Sequence, residues 1–227
     1  MTPTLYLNQS VSFCDCDGVT LFLNAGDDTY LRLTRDQTLW FEQIREVPMQ
    51  SWTEPVKRFA EALLHRQILT RDETLGKRIQ TETAASPGQL ISLPSHKAPL
   101  GPRHIATLFY AVLVCSLTER ARDFPGVVSA ARHWKSTAPR HAGRDMDMES
   151  LVAAFHTLSP LFFSTRDACR YRSLCLLRFL TLYGVCADWV FGVRLSPFQA
   201  HCWIEADGYV LNDDAGNVQE YRRILTI

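Results

Sequence analysis

Apolar and polar residues alternate along the first part of the chain, and this period of two predicts three short strands at residues 5–14, 19–23 and 29–33. Turns rich in Asp and Gly separate these strands. The period then lengthens. Thr34, with Gln37 three residues later, predicts a capped helix, and an apolar face over residues 55–67 predicts another. Three strands followed by helices indicate a winged-helix-like unit of three strands and three helices.

A proline-rich stretch at residues 83–102 follows this unit and predicts a linker, because prolines at such spacing resist regular structure. The longest apolar run, residues 105–117, is too short to span a bilayer and predicts a buried helix. Residues 103–163 are expected to form helices that support the last part of the chain. We therefore expect an α+β protein with domains at residues 1–82 and 103–227.

Composition narrows the possible functions. The chain has 24 Lys and Arg against 24 Asp and Glu, so its net charge gives no drive toward nucleic acid. The start of the chain lacks a signal peptide, and the seven cysteines have no framework spacing, which predicts reduced thiols in the cytoplasm. Cys14 and Cys16 have no second ligand pair, so no metal site is expected. No phosphate-binding loop is present, so no nucleotide or other cofactor is assigned to this chain.

The candidate chemistry begins at Cys169. Ser164, with Asp167 three residues later, predicts a helix start, and an apolar run continues the helix toward Gly184. A cysteine in the first turn of a helix is favoured as a thiolate by the free N–H groups and the helix dipole. The same N–H groups can stabilise an oxyanion. The other cysteines are interpreted as buried and inert.

A histidine and an aspartate follow on a predicted hairpin. Alternation over residues 197–205 predicts one strand, and Asp207-Gly208 marks the turn to the next. A three-residue loop beginning at Ala206 would place His201 opposite Asp213, within reach of a carboxylate–imidazole hydrogen bond. A two-residue loop would place Asp214 there instead. We favour Asp213 and predict a triad in which Cys169 attacks, His201 acts as the base and Asp213 orients the base.

These motifs resemble the B protein of lasso-peptide biosynthesis, whose peptidase half has a transglutaminase-like, papain-related fold. The resemblance rests on four stretches: CRYRSLCL (169–176), FGVR (191–194), PFQAHCWIE (197–205) and VLND (210–213). It implies that Cys169 is the nucleophile, His201 the base and Asp213 the orienting acid, with supporting roles for Arg172, Ser173 and Arg194. Cys175 and Cys202 depart from the family pattern, in which small residues such as Ala are common at both positions.

The first unit resembles, more weakly, the small domains that bind the leaders of ribosomally made peptides. That resemblance implies that the leader adds as a strand to the third predicted strand and packs against the helix at residues 56–67. Five residues are then candidates for leader binding: Tyr30, Leu31, Arg32, Phe59 and Leu63. The alternative is that this strand edge is solvated or covered by its own chain.

Together, the resemblances imply a leader peptidase that binds a precursor peptide and cuts at the leader–core junction. The freed core would pass to a separate asparagine-synthetase-like cyclase, and any ATP requirement would belong to the assembled pair. Two alternatives remain open at this point. The same triad could transfer the acyl group to an amine, or the chain could be a non-catalytic module that delivers the leader to the cyclase.

Overall fold

The computed structural model describes residues 5–81, 90–92, 100–139, 148–163 and 169–227. The chain divides into two compact units, Met1–Thr83 and Ala84–Ile227. Over the described residues, none of the helices combines the length and the apolar character that crossing a bilayer requires.

The first unit contains two small antiparallel sheets and two α-helices among its described residues. The sheets have the strand orders β2-β3-β4 and β5-β1-β6. The elements, in chain order, are β1 (Tyr6–Asn8), β2 (Val11–Cys16), β3 (Val19–Asn24), β4 (Thr29–Arg32), α1 (Arg35–Glu46), a 3-10 turn (Met49–Ser51), α2 (Glu54–His65), β5 (Leu69–Thr70) and β6 (Gly76–Lys77).

The first predicted strand, residues 5–14, is in fact two strands that belong to different sheets. The chain turns between them because the Asn8 side chain accepts a hydrogen bond from the Ser10 N–H at 3.1 Å. Alternation of apolar residues does not reveal this break, since both strands bury apolar side chains. Three helices are expected for this unit, and its described residues contain two α-helices and one 3-10 turn.

The core of the first unit is built around three phenylalanine rings, Phe13, Phe22 and Phe41, whose centroids lie 4.9–5.8 Å apart. The predicted cap of α1 is confirmed. The Thr34 hydroxyl accepts from the Gln37 N–H, and the Gln37 side chain accepts from the Thr34 N–H. Helix α1 therefore begins with a capping box, and its apolar face packs against the phenylalanine rings.

The second unit packs helices against a five-stranded sheet of order β11-β8-β9-β10-β7. Its elements are β7 (Ile91–Ser92), α3 (Pro102–Ala121), α4 (Phe124–Ser136), α5 (Met148–Leu158), a 3-10 turn (Ser159–Leu161), α6 (Cys169–Leu182), β8 (Asp188–Leu195), β9 (Phe198–Ala206), β10 (Tyr209–Val210), α7 (Ala215–Val218) and β11 (Arg222–Thr226).

Helix α6 is the centre of this unit. It contacts α3, α4 and α5, and it also contacts strands β8 and β9. Because neighbours surround it, α6 is apolar on most of its circumference, and Leu174, Leu177 and Phe179 are fully buried. The packing of α6 on β9 brings Cys169, at the start of the helix, next to the strand that carries His201.

Helix α3 corrects the prediction that residues 105–117 form a buried helix. Only one face, with Leu108, Ala111 and Cys115, is buried. Five apolar residues on the rest of the helix are exposed: Ile105, Phe109, Tyr110, Leu113 and Leu117. A continuous apolar run cannot show which face of a helix meets a neighbour.

The proline-rich stretch is not a linker throughout. Within it, Ile91 and Ser92 form β7, which pairs in parallel with Tyr209 and Val210 of β10. Most of the remaining stretch lies outside the described residues. The second unit therefore reaches back to residues that the sequence assigns to the connection.

Candidate active site

Cys169 is the first described residue of α6, and its side chain is partly exposed. The predicted cap, Ser164 with Asp167, lies outside the described residues. The sulfur of Cys169 lies 3.7 Å from that of Cys202, whose thiol donates to it. His201 also acts on this sulfur and lowers the pKa of Cys169. Cys169 is therefore flanked by two residues that are consecutive on β9.

His201 contacts Asp213 through a hydrogen bond between its Nε2 and the carboxylate Oδ2. The other carboxylate oxygen, Oδ1, accepts from the Asp214 N–H at 2.7 Å and from the Asn217 side chain at 3.0 Å. These two donors fix the carboxylate so that Oδ2 faces the ring. The structure thus places Cys169, His201 and Asp213 in one chain of contacts.

The hairpin that carries this contact has a different loop from the one predicted. Tyr209 pairs with Ala206, so the loop has two residues, Asp207 and Gly208, and the three-residue prediction is wrong. Both loop residues have positive φ, as this type of tight turn requires. A continued ladder would have placed Asp214 opposite His201.

Asp213 nonetheless contacts His201 because the ladder ends early. Strand β10 stops at Val210, and the side chain of Asn212 then takes the place of a backbone acceptor for the Ile204 N–H at 2.8 Å. The chain therefore leaves the sheet before Asp213. Asp214 is turned away and instead caps α7, accepting from Gly216 and Asn217.

The electrostatics of the three residues favour an ion pair. The Cys202 thiol, followed by His201, lowers the pKa of Cys169 to about 4 against the opposing effect of burial. Hydrogen bonds with Asp213 and Cys169 raise the pKa of His201 to about 9. Burial alone would raise the pKa of Asp213, but hydrogen bonds from His201 and Asn217 lower it. At neutral pH the site therefore holds a thiolate, an imidazolium and a carboxylate.

Two polar contacts that sequence reasoning missed hold the segment before Asp213. The side chain of Asn212 donates to the Ser173 hydroxyl at 2.8 Å, and that hydroxyl donates to the Cys202 carbonyl at 3.3 Å. These bonds tie α6, β9 and the acid-bearing segment together. Asn212 and Ser173 both stand in the conspicuous motifs, but the pattern alone does not show that they meet.

His156 of α5 is a further residue that sequence reasoning missed. Its Nε2 lies 2.8 Å from the Leu211 carbonyl and its Nδ1 lies 3.1 Å from Arg172. Burial lowers the pKa of His156, so the ring is neutral and donates to the carbonyl while accepting from the guanidinium. A single His within an apolar helix carries no spacing signal that could have revealed these contacts with Leu211 and Arg172.

Two aromatic side chains pack against the His201 ring. The His201 ring stacks on Trp203 with centroids 6.0 Å apart and lies 5.4 Å from the Tyr221 ring. Gly192 permits this packing, since a Cβ there would come within 2.6 Å of Trp203. Arg194 lies over Tyr221 and pairs with Glu220, which fits the supporting role that the motif implies.

In the first unit, the candidate leader-binding residues divide by exposure. Tyr30, Leu31 and Arg32 lie on β4, the edge strand of its sheet, and are partly or fully exposed. Leu63 is only 1% exposed, so its side chain offers no surface to a peptide. Phe59 is nearly buried but lines a cavity of about 450 Å³. The other residues of this cavity are Trp40, Glu54, Pro55 and Arg58.

No group of three or more His, Cys, Asp or Glu side chains with the arrangement of a metal site occurs in the described part of the chain. The model of the family described as the transglutaminase-like superfamily matches residues 111–226, just over half of the chain. The match contains Cys169, His201 and Asp213. No curated protein and no solved structure matches the chain.

Proposed function

This chain belongs to the transglutaminase-like superfamily, and we propose on that premise that it is a cysteine peptidase which removes the leader from a lasso-peptide precursor. The observation that carries the proposal is the placement of Cys169 at the start of α6 beside β9, whose His201 is held by Asp213 and lowers the pKa of Cys169. The four sequence stretches around these residues support the lasso-peptide assignment.

The first chemical step is attack of the Cys169 thiolate on the scissile carbonyl carbon. The C–S bond forms as the carbonyl π electrons move to oxygen, and the N–H groups at the start of α6 stabilise that oxyanion. The His201 imidazolium then donates its proton to the leaving amine as the C–N bond breaks. The products of this half-reaction are a thioester on Cys169 and a free core amine.

The second half-reaction releases the leader. Neutral His201 takes a proton from water, and the resulting hydroxide attacks the thioester carbonyl. Collapse of this intermediate expels the Cys169 thiolate and leaves a leader carboxylate. Asp213 stabilises the imidazolium that the first half-reaction uses and the second restores, and it holds the ring in one orientation.

Leader binding is proposed for the first unit. The edge of β4 can add a peptide strand through backbone hydrogen bonds, and the cavity that Trp40 and Phe59 help to line can take an apolar side chain. The core peptide would then pass to an asparagine-synthetase-like cyclase, and any ATP requirement would belong to that partner. The proposed cellular location is the cytoplasm.

The test is incubation of the protein with a lasso-peptide precursor, sought among the short reading frames next to its gene, followed by mass spectrometry. Hydrolysis gives a leader acid and a core amine whose masses sum to the precursor plus one water. Repeating the reaction with an added primary amine separates hydrolysis from transamidation, since an acceptor adduct on the leader indicates the latter. Leader binding without either product would instead indicate a delivery module and contradict the proposal.

A further inference from the structure

The site contains a second thiol for which the proposed mechanism has no role. Cys202 is 3% exposed, and its Sγ lies 3.7 Å from that of Cys169, with Cys202 as the donor. Resting on the function proposed above, we infer that Cys202 is a positioning residue: its S–H donates to the nucleophilic sulfur of Cys169 and holds that sulfur, as a thiolate, toward the substrate.

The difference in burial decides which sulfur keeps the proton. Cys202 is almost fully buried, whereas Cys169 is partly exposed. An anion is stabilised better where water reaches it, so the charge resides on Cys169 and the proton stays on Cys202. In agreement, contact with Cys169 and burial raise the pKa of Cys202. Cys202 is thus a donor and not a competing nucleophile.

The donor is held on rigid elements. Cys202 pairs with Phe191 in the β8–β9 ladder, and its carbonyl accepts from the Ser173 hydroxyl on α6. Ser173 lies one turn beyond Cys169 on the same helix. The strand and the helix therefore hold the backbone of Cys202 at a fixed distance from the start of α6, which keeps the two thiols within reach of each other.

Among the residues that the structure describes, few other charges compete with this contact. His201, with Asp213 behind it, faces the sulfur from β9. Two guanidinium groups on α6 are engaged elsewhere: Arg170 with Glu119 and Arg172 with His156. The Cys202 variants leave all of these charged groups in place, so a change in the ionisation of Cys169 among them can be traced to the lost thiol.

The test measures the rate at which iodoacetamide alkylates Cys169 as a function of pH, resolved from the other cysteines by peptide mass spectrometry. Only the thiolate reacts, so the midpoint of the curve reports its formation. The variants are Cys202→Ala and Cys202→Val, which lack a donor, and Cys202→Ser, which keeps one. Cys175→Ala is the matched control because Cys175 is a fully buried cysteine further along α6.

We expect the wild-type midpoint near pH 4 and a rise of at least about one pH unit, a tenfold change in the ionisation constant, in the two variants without a donor. Cys202→Ser should restore most of the shift, and Cys175→Ala should match the wild type. If Cys202 had a merely structural role, the midpoints of its variants would not depend on whether the new side chain carries a donor. Valine fills the space that alanine leaves empty, so failure of one variant to fold leaves the other as the test.

An unchanged midpoint in the folded variants without a donor would overturn the inference. So would a Cys202→Ser midpoint equal to that of Cys202→Ala. Alkylation requires no peptide substrate, so the result is independent of the proposed function. A shifted midpoint together with an uncleaved precursor would retain the inference about Cys202 and reject the leader-peptidase assignment.

Discussion

The two units present their candidate surfaces in different ways. In the second unit, individual side-chain atoms would carry the chemistry: the Cys169 sulfur, the His201 ring and one oxygen of Asp213. In the first unit, the edge of β4 offers backbone N–H and C=O groups, and these groups are present whichever side chains the strand carries. Loss of a few atoms should therefore be severe in the second unit, whereas the first unit should respond mainly to changes in the backbone.

The sharpest test of this contrast is Cys169→Ala. Removal of one sulfur should abolish precursor cleavage completely and leave leader affinity unchanged, because the proposed recognition surface lies in the other unit. Mass spectrometry measures the cleavage, and fluorescence polarisation of a labelled leader measures the affinity. Cys186→Ala, at an exposed cysteine, is the control and should retain full activity. Cleavage by Cys169→Ala near the wild-type rate would reject the nucleophile assignment.

The next largest effect is expected at neighbouring aspartates. Asp213→Asn should lower kcat by up to about four orders of magnitude, the loss seen for an orienting acid in a serine protease. Asp214→Asn should cost at most about 1 kcal/mol of stability, because Asp214 caps α7 and Asn caps nearly as well. The two variants are compared by their single-turnover rates of precursor cleavage. Equal losses at the two positions would mean that the His201–Asp213 contact does not orient the base.

The pH profile should show the same ion pair. As the pH falls through about 4, Cys169 gains a proton and kcat/KM should drop about tenfold per unit. As the pH rises through about 9, His201 loses the proton that the leaving amine needs, and kcat/KM should drop again. Leader binding should vary little over the same range. A single limb near the pKa of an ordinary cysteine would exclude the thiolate–imidazolium pair.

A smaller effect is expected from a backbone change on β4. The Leu33 N–H donates to the Thr20 carbonyl, and alternate residues of a strand direct their N–H groups the same way. The Leu31 N–H therefore faces β3, and the Arg32 N–H faces outward. Arg32→Pro removes one outward donor and should weaken leader binding about fivefold, the effect of about 1 kcal/mol for one hydrogen bond.

Arg32→Ala keeps the outward N–H and is the matched control for that titration. Circular dichroism of both variants checks that the sheet is intact. If Arg32→Ala weakens binding as much as Arg32→Pro does, the side chain and not the strand edge recognises the leader.

The smallest expected effect is local to the first unit. Thr34→Ala removes half of the α1 capping box and should lower the free energy of unfolding of that unit by about 1 kcal/mol. The alkylation rate of Cys169 should not change. Thermal unfolding followed by circular dichroism gives the first quantity and iodoacetamide labelling the second. A slower alkylation would show that the stability of the two units is linked.

Features that depend on neighbours in the sequence could be predicted, and those that depend on distant partners could not. The Thr34–Gln37 box follows from a spacing of three residues. The sequence favours Asp213 as the partner of His201, but on a three-residue loop that does not form. The chain instead leaves the sheet at Asn212, whose side chain bonds to Ile204 across the hairpin. His156 and Cys202 gain their contacts only when α5 and β9 pack around α6.

Strand β7 has a consequence for the order in which the second unit folds. Ile91 pairs with Tyr209, and almost the whole second unit lies between them in the sequence, so this edge can close only after the sheet exists. A two-residue parallel edge should also open first, exposing its amides to hydrogen exchange well before β8 and β9.

Opening of β7 would also loosen the loop that carries Asp213. The Ser92 hydroxyl accepts from the Ala215 N–H at 2.8 Å and donates to the Asp214 carboxylate at 3.3 Å. A chain truncated to begin at residue 103 would lack both bonds permanently. The second unit keeps these two bonds only if its chain includes Ser92, so the proline-rich stretch also supports the loop that carries the acid.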